Sequence, residues 1–319
     1  MSDTNFPIKR GFVFPGQGSQ SLGMGKDLAE AFPAAAAVFE EVNDALGEDL
    51  TSIMWGEDLN ALTLTENAQP ALMAVSLAVV RALESEGYEL SNQGSFVAGH
   101  SLGEYSALAA AGVLTIRDTA KLLKLRGSSM QAAVSVGQGA MAAIIGLSKD
   151  QVEILVHEVI TETNLVCALA NDNAPGQAVI SGALKAVEIG MAKANQAGAK
   201  RALKLPVSAP FHCELMAPAA KVMGKALSET VLSKFNLPLI ANVTAEKTTD
   251  TGKVVPMLVE QITGQVRWTE SMQYAAENGI TQVVELGAGK VLSGLSKRID
   301  SRLSALHAGT LQGIEALIN

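Results

Sequence analysis

The segment Gly99-His100-Ser101-Leu102-Gly103 sets a serine hydroxyl between two glycines in the spacing G-x-S-x-G. A short apolar run, Phe96-Val97-Ala98, leads in, and a helical pattern from Leu102 to Ala111 leads out to Gly112. A strand that turns sharply into a helix leaves the serine at the apex of a tight turn, and a β-carbon at either flanking position would meet neighbouring backbone. The hydroxyl then stands at a helix N-terminus, where free N–H groups favour an oxyanion. Such a serine needs a base, because its hydroxyl is not ionised near neutral pH. The chain has four histidines. His100 adjoins Ser101, but successive side chains diverge at a tight turn. His157 falls in an amphipathic helix expected over Lys149 to Thr161, and His307 has no chemical group around it in sequence. His212 remains, after the stiffening Pro210 in Val207-Ser208-Ala209-Pro210-Phe211-His212. Elimination makes it the candidate base; a helix-start histidine with a capping role is the alternative.

A cation adds a second clue. On a wheel of about 100° per residue, Arg117, Lys121, Lys124 and Ser128 share one side of the helix expected from Ile116. Arg126 falls on the opposite, apolar side. A guanidinium directed inward needs an anion or several acceptors. The wheel leaves open a buried Asp or Glu partner or a substrate carboxylate gripped by two parallel hydrogen bonds. Two glycine loops do not extend the list. Gly16-Gln17-Gly18 has Ser21 where a dinucleotide fingerprint needs its third glycine. Gly287-Ala288-Gly289-Lys290 lacks the spacing and the Ser/Thr of a P-loop, and reads as a late strand-to-helix turn packing near the site.

The elements that must position these residues alternate. Short apolar runs at Gly11 to Phe14, Phe96 to Ala98, Leu237 to Val243 and Thr281 to Leu286 read as strands. Amphipathic segments such as Ala71 to Ser85 and Ile116 to Ala133 lie between them. This predicts an α/β fold, a parallel sheet covered by helices with the elbow at the carboxyl edge. The middle third differs. Strands are expected at Ala140 to Leu147, Leu165 to Ala170, Gln177 to Ser181 and Arg201 to Val207, with helices after Ser148 and from Leu184 to Gln196. Residues 171–176 are expected to be a turn. The order βαββαβ is ferredoxin-like. The expected organisation is a large, α/β-hydrolase-like catalytic subdomain of residues 1–133 and 207–319, with a small ferredoxin-like subdomain of residues 134–206 inserted into it.

Composition limits the function classes. The 319 residues are 48% hydrophobic and 18% charged, enough for a large core. The net charge of −8 argues against nucleic-acid binding. Cys167 and Cys213 are far apart and in no metal spacing, which points to a reduced, cytoplasmic setting. Met1 to Asn5 carry no signal-peptide pattern, and no apolar run is long enough for a membrane span.

Several of these segments together resemble the malonyl-CoA:acyl carrier protein transacylases of type II fatty-acid synthesis, essentially end to end. The resemblance rests on residues 12–20 (FVFPGQGSQ), Gln69-Pro70-Ala71, residues 99–108 (GHSLGEYSAL) and Arg126-Gly127. It continues through residues 139–146 (GAMAAIIG), Asn173 to Gln177, Pro206-Val207-Ser208, His212-Cys213 and Gly289 to Leu292. The resemblance implies that Ser101 is acylated and that His212 is its base, in a dyad without a third carboxylate. The backbone carbonyl of Gln261 would orient the imidazole. The amides of Gln17 and Leu102 would form the oxyanion hole, and Arg126 would bind the free carboxylate of malonate. His100 and Phe211 would face the substrate; Phe211 stands where many bacterial members carry Ser and would narrow the pocket. Arg267 replaces the commoner Gln before Trp268. The implied partners are malonyl-CoA and acyl carrier protein, with no cofactor, metal, nucleic acid or membrane. Lys185, Lys193, Lys200, Arg201 and Lys204 are candidates for docking an acidic carrier. The rival enzyme is an α/β-hydrolase-type serine esterase or thioesterase, which needs an acid between Ser101 and His212 in the chain. The rival outside enzymology is a carrier-protein binding module.

Overall fold

The computed structural model describes residues 8–207 and 209–319. The N-terminal expectation for Met1 to Asn5, and Ser208, lie outside the described residues. Among the described residues ten strands form two sheets: β1 (Arg10–Phe14), β2 (Gly94–Gly99), β3 (Gly139–Ile145), β4 (Cys167–Ala174), β5 (Gln177–Ala183), β6 (Arg201–Lys204), β7 (Leu239–Ile240), β8 (Lys247–Thr248), β9 (Gln282–Glu285) and β10 (Ser304–His307). The first sheet has the order β10-β9-β1-β2-β7-β8, parallel except for the β7–β8 pair at its edge. Phe12, Val13 and Phe14 are fully buried in its middle, because helices cover both faces and leave no polar side for the strand to alternate toward. The register sets Phe14 opposite Gly99, so the chain leaves β1 toward Gln17 and β2 toward Ser101 at adjacent carboxyl ends. In open parallel sheets the ligand crevice lies there.

The second sheet has the order β4-β5-β3-β6 and is antiparallel throughout. Its strands and the helices Lys149–Thr163 and Leu184–Gln196 follow the order βαββαβ along the chain. A separate apolar cluster, including Ile144, Val152, Val159, Ile180 and Val187, fills the space between that sheet and its helices. The Lys149 helix opens with the full capping box at Ser148 and Gln151.

Several element boundaries differ from the sequence reading, most by one or two residues and four with consequences for the fold. The helix expected from Ala71 begins at Thr65 and holds Pro70 inside it. Proline reads locally as a helix start, but burial of almost the whole segment overrides that signal. β4 runs through Asn171, Asp172 and Asn173, which composition assigned to a turn. Register shifts at Asn171 and Ala174 accommodate them against β5, and only Pro175 and Gly176 connect the two strands. β6 ends at Lys204, so Leu205 to Val207 are not in a strand. β7 is two residues long, and the rest of the run to Val243 is a loop. No helix among the described residues is long and apolar enough to cross a membrane.

Candidate active site

The nucleophile candidate sits on a strained turn. Ser101 has φ 54°, a left-handed conformation uncommon for a residue with a side chain. The glycines on either side are steric requirements. A β-carbon on Gly99 would lie 1.9 Å from the Gly103 carbonyl, and one on Gly103 would lie 2.3 Å from the Phe14 oxygen. Asn242 clamps the turn: its Oδ1 accepts from the Ser101 amide at 2.8 Å, and its Nδ2 donates to the Gly99 carbonyl at 2.6 Å.

Ser101 Oγ lies 2.8 Å from His212 Nε2. His212 Nδ1 lies 2.7 Å from the backbone oxygen of Gln261. A carbonyl only accepts, so Nδ1 carries the proton and Nε2 is left to accept the serine hydroxyl. Burial, and next the charge of Arg126, push the His212 pKa down to about 3, so the imidazole is neutral at rest. Among the described residues no carboxylate touches His212, and the acid that a hydrolase triad requires is not in place. His157 is exposed on its helix, and His307 accepts from the Gly309 amide far along the chain from the dyad.

Arg126 points inward, as its place on the wheel requires, and is only 1% exposed. Its Nη1 donates to Gln69 Oε1 at 2.9 Å, and its Nη2 donates to Gln261 Oε1 at 3.0 Å and Ser101 Oγ at 3.1 Å. The guanidinium also lies over the Tyr105 ring, 5.6 Å from its centroid. No ion pair to Arg126 occurs among the described residues, so neutral acceptors and a ring face hold a charge that stays ionised. The buried-acid alternative for Arg126 is therefore not what the fold builds. Gln69 reaches it because the helices Thr65–Ser85 and Ile116–Ala133 nearly touch at Gly127, where a β-carbon would lie 2.6 Å from the Thr65 oxygen.

A cavity of about 300 Å³ opens over the dyad. Gln17, His100, Ser101, Arg126, Phe211 and His212 all line it. Among the described residues nothing accepts from the amides of Gln17 or Leu102. His100 Nε2 pairs with Asn173 Oδ1 at 2.8 Å, and its ring packs on Trp268 with centroids 5.6 Å apart. Among the described residues Ser101 Oγ bonds to His212 and Arg126 and not to His100, in keeping with the exclusion of His100 as the base. Gln17, His100, Ser101, Arg126, Phe211 and His212 thus share one cavity, Leu102 follows Ser101 in the chain, and Gln261 meets His212 with its carbonyl and Arg126 with its side chain. Among the described residues no group of three or more His, Cys, Asp or Glu could hold a metal ion.

Two residues escaped sequence reasoning. Glu104 is buried under the elbow, and burial pushes its pKa up to about 7 against the pull of Gln261, Asn242 and Arg126. A lone acid in an otherwise apolar helix was the available signal. Asn242 gave none, because nothing local marks it off within the run to Val243. Arg267 gains an account: its Nη1 donates to the carbonyls of Val243 and Thr244, and its Nη2 pairs with Glu270. It anchors the loop that carries Asn242.

The family model described as the acyl transferase domain matches residues 11–301, and with the fold it defines the class: an acyltransferase. Malonyl CoA-acyl carrier protein transacylase of Bacillus subtilis is 44% identical over 97% of this chain and 96% of its own. The protein of that name from Escherichia coli K12 is 42% identical over 92% and 94%. Among solved structures, the acyl-carrier-protein S-malonyltransferase of Bartonella henselae superposes with a TM-score of 0.95 at 52% identity, covering 98% of each chain. A malonyl-transacylase solved in complex with its type II polyketide acyl carrier protein gives 0.93 at 40% identity, covering 97% and 99%. The chain belongs to the malonyl CoA-acyl carrier protein transacylase family.

Proposed function

We propose that this chain transfers a malonyl group from malonyl-CoA to the phosphopantetheine thiol of acyl carrier protein through a malonyl ester on Ser101. The observation that carries the reading is the buried Arg126 guanidinium, unpaired by any acid among the described residues and 3.1 Å from the Ser101 hydroxyl. Malonyl places its free carboxylate one methylene from the thioester carbonyl. An acyl group attacked by Ser101 therefore has that carboxylate within reach of Arg126, which can exchange its serine bond for a charge-assisted pair.

Ser101 Oγ attacks the thioester carbon while His212 Nε2 takes its proton. The free amides of Gln17 and Leu102 supply the oxyanion donors, each worth on the order of 10²–10³ in rate. The tetrahedral intermediate collapses, the C–S bond breaks, and His212 returns its proton to the CoA thiolate. The carrier thiol then gives its proton to His212 and attacks the malonyl ester, and Ser101 leaves as the hydroxyl. Phe211 and His100 bound the acyl pocket, and no step needs a cofactor. The rival α/β-hydrolase-type esterase calls for an acid on its histidine, where His212 Nδ1 meets a carbonyl, and the family membership speaks for transfer.

In this reading residues 1–133 and 207–319 form an α/β-hydrolase-like catalytic subdomain, and residues 134–206 form a ferredoxin-like one. The strand order β4-β5-β3-β6 supports the second assignment. Leu205 to Val207, at the junction, line the cavity, which supports a substrate site between the two parts.

Mass spectrometry after mixing with malonyl-CoA, and before any carrier is added, should find one malonyl group on the Ser101 peptide. In Arg126→Ala, malonyl transfer should fall steeply while acetyl transfer changes by less than about threefold, since only malonyl carries the second carboxylate. Turnover without an adduct would defeat the mechanism, and equal losses for both acyl groups would make Arg126 structural.

A further inference from the structure

Beneath the elbow lies a buried acid that the transfer chemistry does not use. Glu104 is 1% exposed, in the first turn of the helix Gly103–Ala110. Its Oε2 accepts from Gln261 Nε2 at 2.8 Å and from the Asn242 amide at 3.1 Å. Its Oε1 has no partner among the described residues. We infer that Glu104 is a positioning residue for acyl selectivity: its carboxyl oxygen fixes the Gln261 carboxamide so that Gln261 Oε1 faces Arg126. The inference rests on the malonyl-transfer reading above.

A carboxamide has a donor end and an acceptor end, and here the difference matters. Gln261 Nε2 faces three oxygens: Ser101 O at 2.9 Å, Glu104 Oε2 at 2.8 Å and Asn242 Oδ1 at 3.2 Å. Gln261 Oε1 faces Arg126 Nη2 at 3.0 Å. A flipped amide would set oxygen against three oxygens and an NH2 against a guanidinium. Two of the three acceptors are already engaged elsewhere, Ser101 O by the Glu104 amide and Asn242 Oδ1 by the Ser101 amide. Glu104 Oε2 also accepts from the Asn242 amide, but it makes the shortest contact with Gln261 Nε2, at 2.8 Å. Its second bond holds the backbone of Asn242, whose side chain clamps Ser101. One carboxyl group therefore supports two arms. The Gln261 arm ends on Arg126, whose charge-assisted pair with a second carboxylate only a dicarboxylic acyl group can make. The Asn242 arm ends on the serine, which every acyl group uses.

The two arms separate by substrate. Glu104→Ala removes the acceptor, and kcat/KM for malonyl-CoA should fall at least about tenfold more than for acetyl-CoA, the cost of one buried donor left without its acceptor. Glu104→Gln keeps an oxygen at the Oε2 position and should hold the malonyl-to-acetyl ratio within about threefold of wild type. Thermal melts report folding; if the alanine variant does not fold, Glu104→Asp withdraws the oxygens by one methylene and replaces it. An unchanged ratio in a folded Ala or Asp variant overturns the inference, as does a Gln variant that loses the ratio equally. A wild-type enzyme that forms no malonyl adduct on Ser101 would instead overturn the reading on which the inference rests.

Discussion

Ser101 holds a left-handed φ of 54° that costs of order 1–3 kcal/mol, and the side chain of Asn242 offsets part of it with two hydrogen bonds. His212 shares the same backbone region, with φ 58°. Strain at both partners of the dyad is what aims two side chains from distant segments at one another. The electrostatics are as specific. Burial first, and then the neighbouring guanidinium, lower the His212 pKa from 6.5 to about 3. The neutral form is the base, and it is lost only as pH falls through the folded value. The acid limb of kcat/KM, which reports the free enzyme, should therefore lie below about pH 5 and not near the 6.5 of free imidazole. Arg126→Met, assayed with acetyl-CoA, should move that limb to higher pH; a limb that stays put would remove the guanidinium as a cause. Stability carries the same sign. Between pH 6.5 and about 3 the unfolded chain binds a proton that native His212 refuses, so this contribution falls as pH falls.

At the scale of elements, two adjacent parallel strands deliver the nucleophile and the loop of Gln17, and two helices deliver the cation. The helices Thr65–Ser85 and Ile116–Ala133 cross closely enough at Gly127 for Gln69 to hold Arg126. Gly127→Ala would set a methyl 2.6 Å from the Thr65 oxygen and the Glu66 α-carbon. Backbone cannot yield as a flexible side chain does, so the helices must part. The expected cost is about 1–3 kcal/mol of stability in a urea titration, together with a raised KM for malonyl-CoA that acetyl-CoA does not share. A substitution without effect on either would place the contact elsewhere. Much at this scale was legible in sequence. The Ile116 helix and its inward arginine follow from a 3.6-residue period, and the capping box at Ser148 marks its helix start. The Thr65 start and the strand through Asn171 to Asn173 were not. Both depend on neighbours far along the chain that bury a segment whose local signals point to a break or a turn.

At the scale of the whole molecule, a parallel sheet offers the nucleophile while the antiparallel sheet and its junction supply part of the cavity wall. Carrier docking belongs here, because a carrier must span the mouth of that cavity. The lysines proposed for docking are not equivalent. Lys193 is committed to Glu158 and Glu162 on the adjacent helix. Lys204 is exposed and precedes Leu205, which lines the cavity. Lys204→Glu should therefore raise the KM for an acidic carrier several-fold at low salt and leave malonyl-CoA acylation unchanged, whereas Lys193→Glu should change the carrier KM little. Equal carrier constants for wild type and Lys204→Glu would move the docking face elsewhere.

Local physics alone makes three features readable from the amino-acid order: the elbow, because two glycines and the strand-to-helix context specify one turn; the inward arginine, because helical periodicity does; and His212, because three other histidines could be set aside. The resemblance added the Gln261 carbonyl. Tertiary structure alone decided what surrounds them. It brought the Gln261 side chain between Glu104 and Arg126, set Asn242 under the serine, and left the guanidinium among neutral acceptors. Those contacts join residues up to 160 positions apart, such as Ser101 and Gln261. No periodicity or spacing encodes them, because packing of two sheets and their helices, and not the local chain, sets the distances.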